Sequence, residues 1–213
     1  MNDEMKIIAD AWNEISLDFD EMHATEDIDM WKSELNKLIG ENEKRKVLDI
    51  GTGTGFIAIM LAELGHTVSG VDIADDMLEL GRKKMTEKGL NIDFMHCDGE
   101  NLKYEGNTFD VIANCRVLWT LLEPQKAFIE WKRVLKTGGI VLSFMRLAEN
   151  TTENKNWCYG EEFEKNLKMK FATEEEYIYE FKKAGFNNVK IVHMPEEMSA
   201  APLNPWFCVY CEK

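Results

Sequence analysis

The stretch Val47-Leu48-Asp49-Ile50-Gly51-Thr52-Gly53-Thr54-Gly55 constrains this chain more than any other part of it. Its apolar residues, with a single Asp among them, read as a short buried strand. The alternating glycines force a tight turn, and Phe56 to Leu64 (FIAIMLAEL) continues as an apolar helix. A glycine turn from strand to helix exposes unpaired backbone N–H groups at the positive helix end, a seat for an anion. Absent side chains let a ligand lie against that backbone. A dinucleotide fingerprint wants G-x-G-x-x-G, but here the third glycine falls one place early and Phe56 stands in its position. That spacing suits a nucleoside with a carboxylate tail better than a pyrophosphate.

Two further segments sharpen the reading. Thr67-Val68-Ser69-Gly70-Val71-Asp72 reads as the next strand. It ends in an acid about twenty residues beyond the first glycine, where a βαβ unit places its ribose-binding carboxylate. The alternative is that Asp72 caps the helix beginning near Asp75. Asn91 to Cys97 reads as a third strand, followed directly by Asp98-Gly99-Glu100. A carboxylate there shares the ligand edge of the sheet with Asp72 and can accept a hydrogen bond from the exocyclic amine of an adenine. Ile73 and Met77 supply apolar contact to the ring. One acid for the ribose, one for the adenine and a glycine turn for an amino-acid end together describe S-adenosylmethionine.

With these residues in hand, the chain resembles the Rossmann-like (class I) S-adenosylmethionine-dependent methyltransferases, small-molecule branch. The resemblance runs from about Lys46 to Phe144: VLDIGTGTG, VDIADDML, CDGENL, FDVIANCRVLWTL (Phe109 to Leu121) and EWKRVLKTGGIVLSF follow in the family's order. It implies cofactor contacts at Asp49, Gly51, Gly53, Asp72, Ile73, Asp98 and Gly99, with Asn114 and Cys115 beside the methionine portion. Thr52, Gly55, Met77 and Glu100 join them as neighbours in the same segments. Where many relatives carry Arg-His, this chain has Cys115-Arg116, which leaves open what that loop offers a substrate.

Walking the chain predicts an α/β architecture: a doubly wound, mostly parallel seven-stranded sheet with helices on both faces and an N-terminal helical cap. Ile8, Ala11, Trp12, Ile15, Phe19 and Met22 form one helical stripe, and Trp31, Leu35 and Leu38 a second; both helices are expected over the ligand edge. Pro124 opens a later helix that Gly138-Gly139 closes, and Thr173-x-x-Glu176 reads as a capping box. Val189 to His193 and Trp206 to Cys211 make a closing strand pair with one member antiparallel. A single domain is expected, with a cap over 1–45, a cofactor-binding core over 46–145, a substrate-side insertion over 146–172 and a closing unit over 173–213.

Composition narrows the function classes. The net charge of −14 argues against nucleic acid, which draws on Lys/Arg patches. Lys44-Arg45-Lys46 and Arg82-Lys83-Lys84 read as solvated faces. The acids Asp18, Asp20, Glu21, Glu26, Asp27 and Asp29 read as a solvated face or a lure for a cationic partner. No secretory or membrane-spanning pattern is expected, and five cysteines, an odd number, suit reduced thiols in a cytoplasmic protein. Cys208-x-x-Cys211 lies in an alternating strand pattern, where residues three apart face opposite sides, so no metal is expected. On the acceptor side, Phe19, Arg116, Trp119, Arg146, Trp157 and Tyr159 are the candidates: aromatics for an apolar or cationic acceptor, arginines for a carboxylate. His23 is the candidate general base, should the acceptor arrive protonated. Methyl displacement by S-adenosylmethionine is the leading reading. A non-catalytic adenosyl-ligand binder and a nicotinamide-dependent oxidoreductase are the alternatives.

Overall fold

Strands that are apolar on both faces need helices on both sides, and this chain supplies them in alternation. The computed structural model describes residues 3–40, 43–146, 159–170, 172–198 and 205–213, with the side chains of Met22 and His23 outside the described set. The helices are α1 (Asp3–Glu14), α2 (Ile28–Ile39), α3 (Phe56–Glu63), α4 (Asp75–Glu87), α5 (Pro124–Val134), α6 (Glu161–Glu164) and α7 (Glu174–Lys183). The strands are β1 (Lys46–Ile50), β2 (Thr67–Asp72), β3 (Ile92–His96), β4 (Phe109–Cys115), β5 (Leu135–Met145), β6 (Asn187–His193) and β7 (Phe207–Glu212). They form one seven-stranded sheet in the order β3-β2-β1-β4-β5-β7-β6. The pairs among β1 to β5 are parallel, and β7 runs antiparallel to β5 and β6, as the closing pair predicts. The chain reverses its direction of growth between β1 and β4, which opens a crevice at their carboxyl ends.

One face of the sheet packs against α5 and α7 through Phe128, Trp131 and Phe181, the other against α2, α3 and α4 through Trp31, Leu35, Ile57 and Leu78. Because α3 lies between the sheet and α2, it is apolar all round, and Ile57 to Leu61 are all buried. Thr173 and Glu176 form the predicted capping box of α7. Cys208 and Cys211 fall in the two different core clusters, on opposite faces of β7. Among the described residues no helix is long and apolar enough to cross a membrane.

Three expectations need correction. The first helical stripe does not run on to Met22: α1 stops at Glu14, and a separate 3-10 turn spans Phe19–His23. The break folds Phe19 back over the glycine turn, where a straight helix would carry it past; tertiary packing outweighs the apolar period here. Of the two N-terminal helices only α1 reaches the ligand edge. Trp31 of α2 is instead fully buried beside α3 and the sheet, with ring centroids 5.3 Å from Phe56 and 5.1 Å from both Phe144 and Trp206. Finally, α5 ends at Val134, and Gly138-Gly139 lie inside β5. They take up a bulge: Leu135 pairs with Phe109, but Ile140 with Val111.

The acidic cluster is not one solvated face. Asp27 caps α2 through the Met30 N–H, and Asp20 pairs with Lys84 at 2.8 Å, which takes Lys84 out of the solvated basic run. Glu26 is a buried hub. Its Oε2 accepts the indole N–H groups of Trp31 and Trp206, each at 3.0 Å, and its Oε1 accepts from Arg146 at 2.6 Å. A carboxylate only 1% exposed is tolerable because three donors replace its water. The hub joins the N-terminal segment to α2, the end of β5 and the approach to β7. Glu26→Gln keeps the volume but removes the charge, and is expected to cost about 3 kcal/mol. Urea denaturation followed by tryptophan fluorescence checks this; an unchanged midpoint and slope would refute the hub's role.

Candidate functional site

A cavity opens at the carboxyl ends of β1 and β4, and the glycine turn forms its floor. Ile50, Gly51 and Gly53 line it directly. Gly51 has φ +62°, and a Cβ placed there would lie 2.3 Å from Val117 Cγ2, so neither the backbone conformation nor the space admits a side chain. Beneath the turn, Asp49 Oδ2 accepts from Thr52 Oγ1 at 2.7 Å and from the Ala58 N–H at 3.1 Å. These bonds lock strand, turn and helix together. Asp49 is not among the cavity-lining residues; its Oδ1 is buried and has no hydrogen-bond partner among the described residues. Burial raises the Asp49 pKa to about 7, against the opposing bonds from Thr52 and Ala58, and the nearby Asp72 charge adds to the rise. Thr52 faces Asp49 rather than the cavity, and Gly55 is the N-cap of α3; neither lines the cavity.

Asp72 ends β2 and lines the cavity with Ile73 and Met77. Its Oδ1 accepts from the Ala74 N–H at 2.9 Å, at the entry to α4, and its Oδ2 from the Gly53 N–H at 2.8 Å. The helix-entry contact is therefore real, but the second oxygen clasps the glycine turn. Burial raises the Asp72 pKa and the backbone donors oppose the rise. After β3, Asp98, Gly99 and Glu100 line the same cavity. Asp98 Oδ1 accepts the Glu100 N–H at 2.7 Å. Glu100 Oε1 accepts the N–H groups of Leu122 and Glu123, so this carboxylate anchors the entry to α5 as well as facing the cavity. Cys115 lines the wall after β4, and burial pushes its thiol pKa up. Asn114 does not line the cavity; it is buried, donating to Ser143 Oγ at 2.8 Å, and its Oδ1 has no partner among the described residues.

The opposite wall is apolar. Met5, Ile8, Trp12 and Phe19 come from α1 and the 3-10 turn; Val117, Thr120, Leu121 and Leu122 come from the loop after β4, beside Arg116. Ile8, Trp12 and Phe19 were visible as a stripe. Ile50, Cys97 and the loop residues carry no individual signal and are found only through the strand ends they follow. Trp119 and Tyr159 stack at 5.5 Å, behind Trp12 rather than on the cavity surface, and Lys170 lies 4.0 Å from the Trp119 ring. Arg146 does not reach the cavity: it pairs with Glu26 and covers the Trp206 ring at 4.3 Å. His23 closes the 3-10 turn with its side chain outside the described residues, and Trp157 lies outside them altogether. The other histidines serve local contacts, His66 accepting the Arg45 N–H, His96 meeting Asp75 at 2.8 Å and His193 facing Glu174 at 3.7 Å. Among the described residues no group of three or more His, Cys, Asp or Glu could hold a metal.

The raised Asp49 pKa has a defined consequence for the ligand-free protein. Between the ordinary carboxylate value and about 7, the native state holds a proton that the unfolded state has lost, so stability falls as pH rises through that window. The full loss above it is on the order of 4 kcal/mol. Asp49→Asn, which keeps an acceptor for Thr52 and Ala58, is expected to flatten this slope and to raise the melting temperature at pH 8 relative to wild type. Thermal melts of both proteins from pH 5 to 8 check it; parallel curves would exclude the effect.

Residues 48–143 match a family model described as a methyltransferase domain. The chain is 29% identical over 210 residues to a demethylmenaquinone methyltransferase from Staphylococcus saprophyticus, covering 86% of this chain and 89% of that one. It is 38% identical over 97 residues to a ubiquinone biosynthesis O-methyltransferase from Dinoroseobacter shibae; the match takes in 46% of this chain and spans only 39% of that relative's length. A crystal structure of a SAM-dependent methyltransferase from Aquifex aeolicus superposes with a TM-score of 0.70 at 22% identity, covering 99% of this chain and 98% of the other, a likeness of fold. The strand order and the glycine turn give the chain a Rossmann-like fold, and the match over residues 48–143 gives its core the likeness of a methyltransferase domain.

Proposed function

We propose that this chain transfers a methyl group from S-adenosylmethionine to a small-molecule acceptor held under α1. The observation that carries the reading is the cavity at the strand ends, where the glycine turn meets the Asp72 and Asp98 carboxylates. Gly51 and Gly53 would let the amino-acid end of the cofactor lie directly against the backbone of the turn. Asp72 would hold the ribose hydroxyls with lone pairs left over from its two backbone bonds, and Asp98 would accept from the adenine amine. Ile73 and Met77 would pack on the ring. The bound cofactor supplies an activated methyl on a sulfonium, which needs no nucleophile or metal from the protein.

The protein's part is then positioning and the exclusion of water. Met5, Ile8, Trp12 and Phe19 close the cavity from above, and Val117, Leu121 and Leu122 close it from the side. An apolar acceptor fits those walls. The relatives' names speak of ubiquinone biosynthesis and demethylmenaquinone, and the apolar wall supports an acceptor of that broad kind, an apolar ring. The net charge of −14 supports a small molecule over nucleic acid. A cytoplasmic location belongs to the same reading.

Calorimetric titration with S-adenosylhomocysteine is expected to give micromolar binding. Asp72→Ala should weaken it about 100-fold, the loss of two hydrogen bonds to a charged acceptor, and NAD should give no heat. Binding of NAD without binding of S-adenosylhomocysteine would overturn the cofactor assignment.

A further inference from the structure

Among the described residues lining the cavity, Arg116 is the one basic side chain, whereas Asp72, Asp98 and Glu100 on the opposite side are all acidic. Its backbone is held in the left-handed region at φ +62°, a conformation that costs a residue with a side chain on the order of 1 kcal/mol. The conformation is fixed by the Arg116 N–H, which donates to the Phe144 carbonyl at 2.9 Å and so extends the β4–β5 ladder one step past Cys115. The chain therefore bends where it does with Arg116 on the cavity wall.

No carboxylate among the described residues answers that charge. Arg146, at the neighbouring strand end, has Glu26 at 2.6 Å and stacks on Trp206, and the buried Asp49 accepts from Thr52 and the Ala58 N–H. Burial pushes the thiol pKa of the adjacent Cys115 up, so it offers no counter-charge. The surrounding wall, from Trp12 and Phe19 to Val117 and Leu121, is apolar and raises the cost of an unmatched cation.

Resting on the methyl-transfer reading above, we propose that Arg116 is the specificity residue of the acceptor site and that it pairs with an anionic oxygen on an aromatic acceptor. The oxygen is either a carboxylate or an ionised ring hydroxyl. The apolar wall takes the ring, and the guanidinium takes the charge through paired hydrogen bonds that a neutral or cationic analogue cannot supply.

The test uses 2-naphthoate, its neutral isostere 2-naphthamide, 2-naphthylmethylammonium and 2-naphthol, titrated by tryptophan fluorescence with and without saturating S-adenosylhomocysteine. Wild-type protein is expected to bind the naphthoate at least about tenfold more tightly than the amide or the ammonium, and to lose much of that preference at high salt. Arg116→Gln should abolish the preference and Arg116→Lys should restore part of it, with calorimetric binding of S-adenosylhomocysteine unchanged in both. If 2-naphthol binds more tightly as pH rises through its own ionisation, the site accepts a ring oxyanion; if it does not, the carboxylate is the anion recognised. Equal binding of acid and amide by wild type, or a preference that survives Arg116→Gln, would overturn the proposal. Failure of S-adenosylhomocysteine to bind while the naphthoate preference persists would strike the cofactor reading and leave the Arg116 assignment standing.

Discussion

The Asp49 carboxylate is the constraint around which this structure is arranged. One of its oxygens ties Thr52 and the first turn of α3 to β1, and the other is buried without a partner. The first makes the strand, turn and helix one rigid unit. The second is a buried oxygen with no donor among the described residues, which makes its charged form costly. Each neighbouring element then takes its position from the turn. Val117 closes against Gly51, Asp72 clasps the Gly53 N–H, and Thr54 bonds Asp20 at 2.6 Å.

The N-terminal segment depends on the same turn in reverse. Its roof over the cavity is apolar, but what holds it in place is polar. Asp20 meets Lys84 and Thr54, Asn13 accepts the Asp76 N–H at 3.0 Å, and Glu26 anchors the far end. Apolar contact alone is non-directional and would let the segment slide over the cavity mouth. Hydrogen bonds of fixed geometry set where Trp12 and Phe19 stand, and so set the shape of the cavity's roof.

Much of the cavity was legible in the chain because most of its polar residues sit at or just after the end of a strand. Asp49, Asp72 and Asp98 are far apart in sequence, yet parallel strands joined by right-handed crossovers place their carboxyl ends side by side. Reading the strands was therefore enough to assemble these acids at one edge. Asn114 shows the limit of that logic: it occupies a strand end too, but its side chain turns to Ser143 and into the core. Period alone cannot say which of two neighbouring residues faces a crevice.

The sequence by itself determined the order of strands and helices, the glycine turn and the acids that frame it, because these follow from local period and from spacing along the chain. Tertiary structure decided the rest. Arg146 and Trp206 find Glu26 across 120 and 180 residues, and no local pattern announces a hydrogen bond of that span. The helical stripe breaks after Glu14 because Phe19 gains more by folding over the turn than by continuing the helix. Arg116 stands on the cavity wall because the β4–β5 ladder runs one bond further than the apolar pattern of β4 declares. Each of these outcomes turns on contacts between distant segments, whose energies exceed the fraction of a kilocalorie by which local propensity distinguishes one backbone state from another.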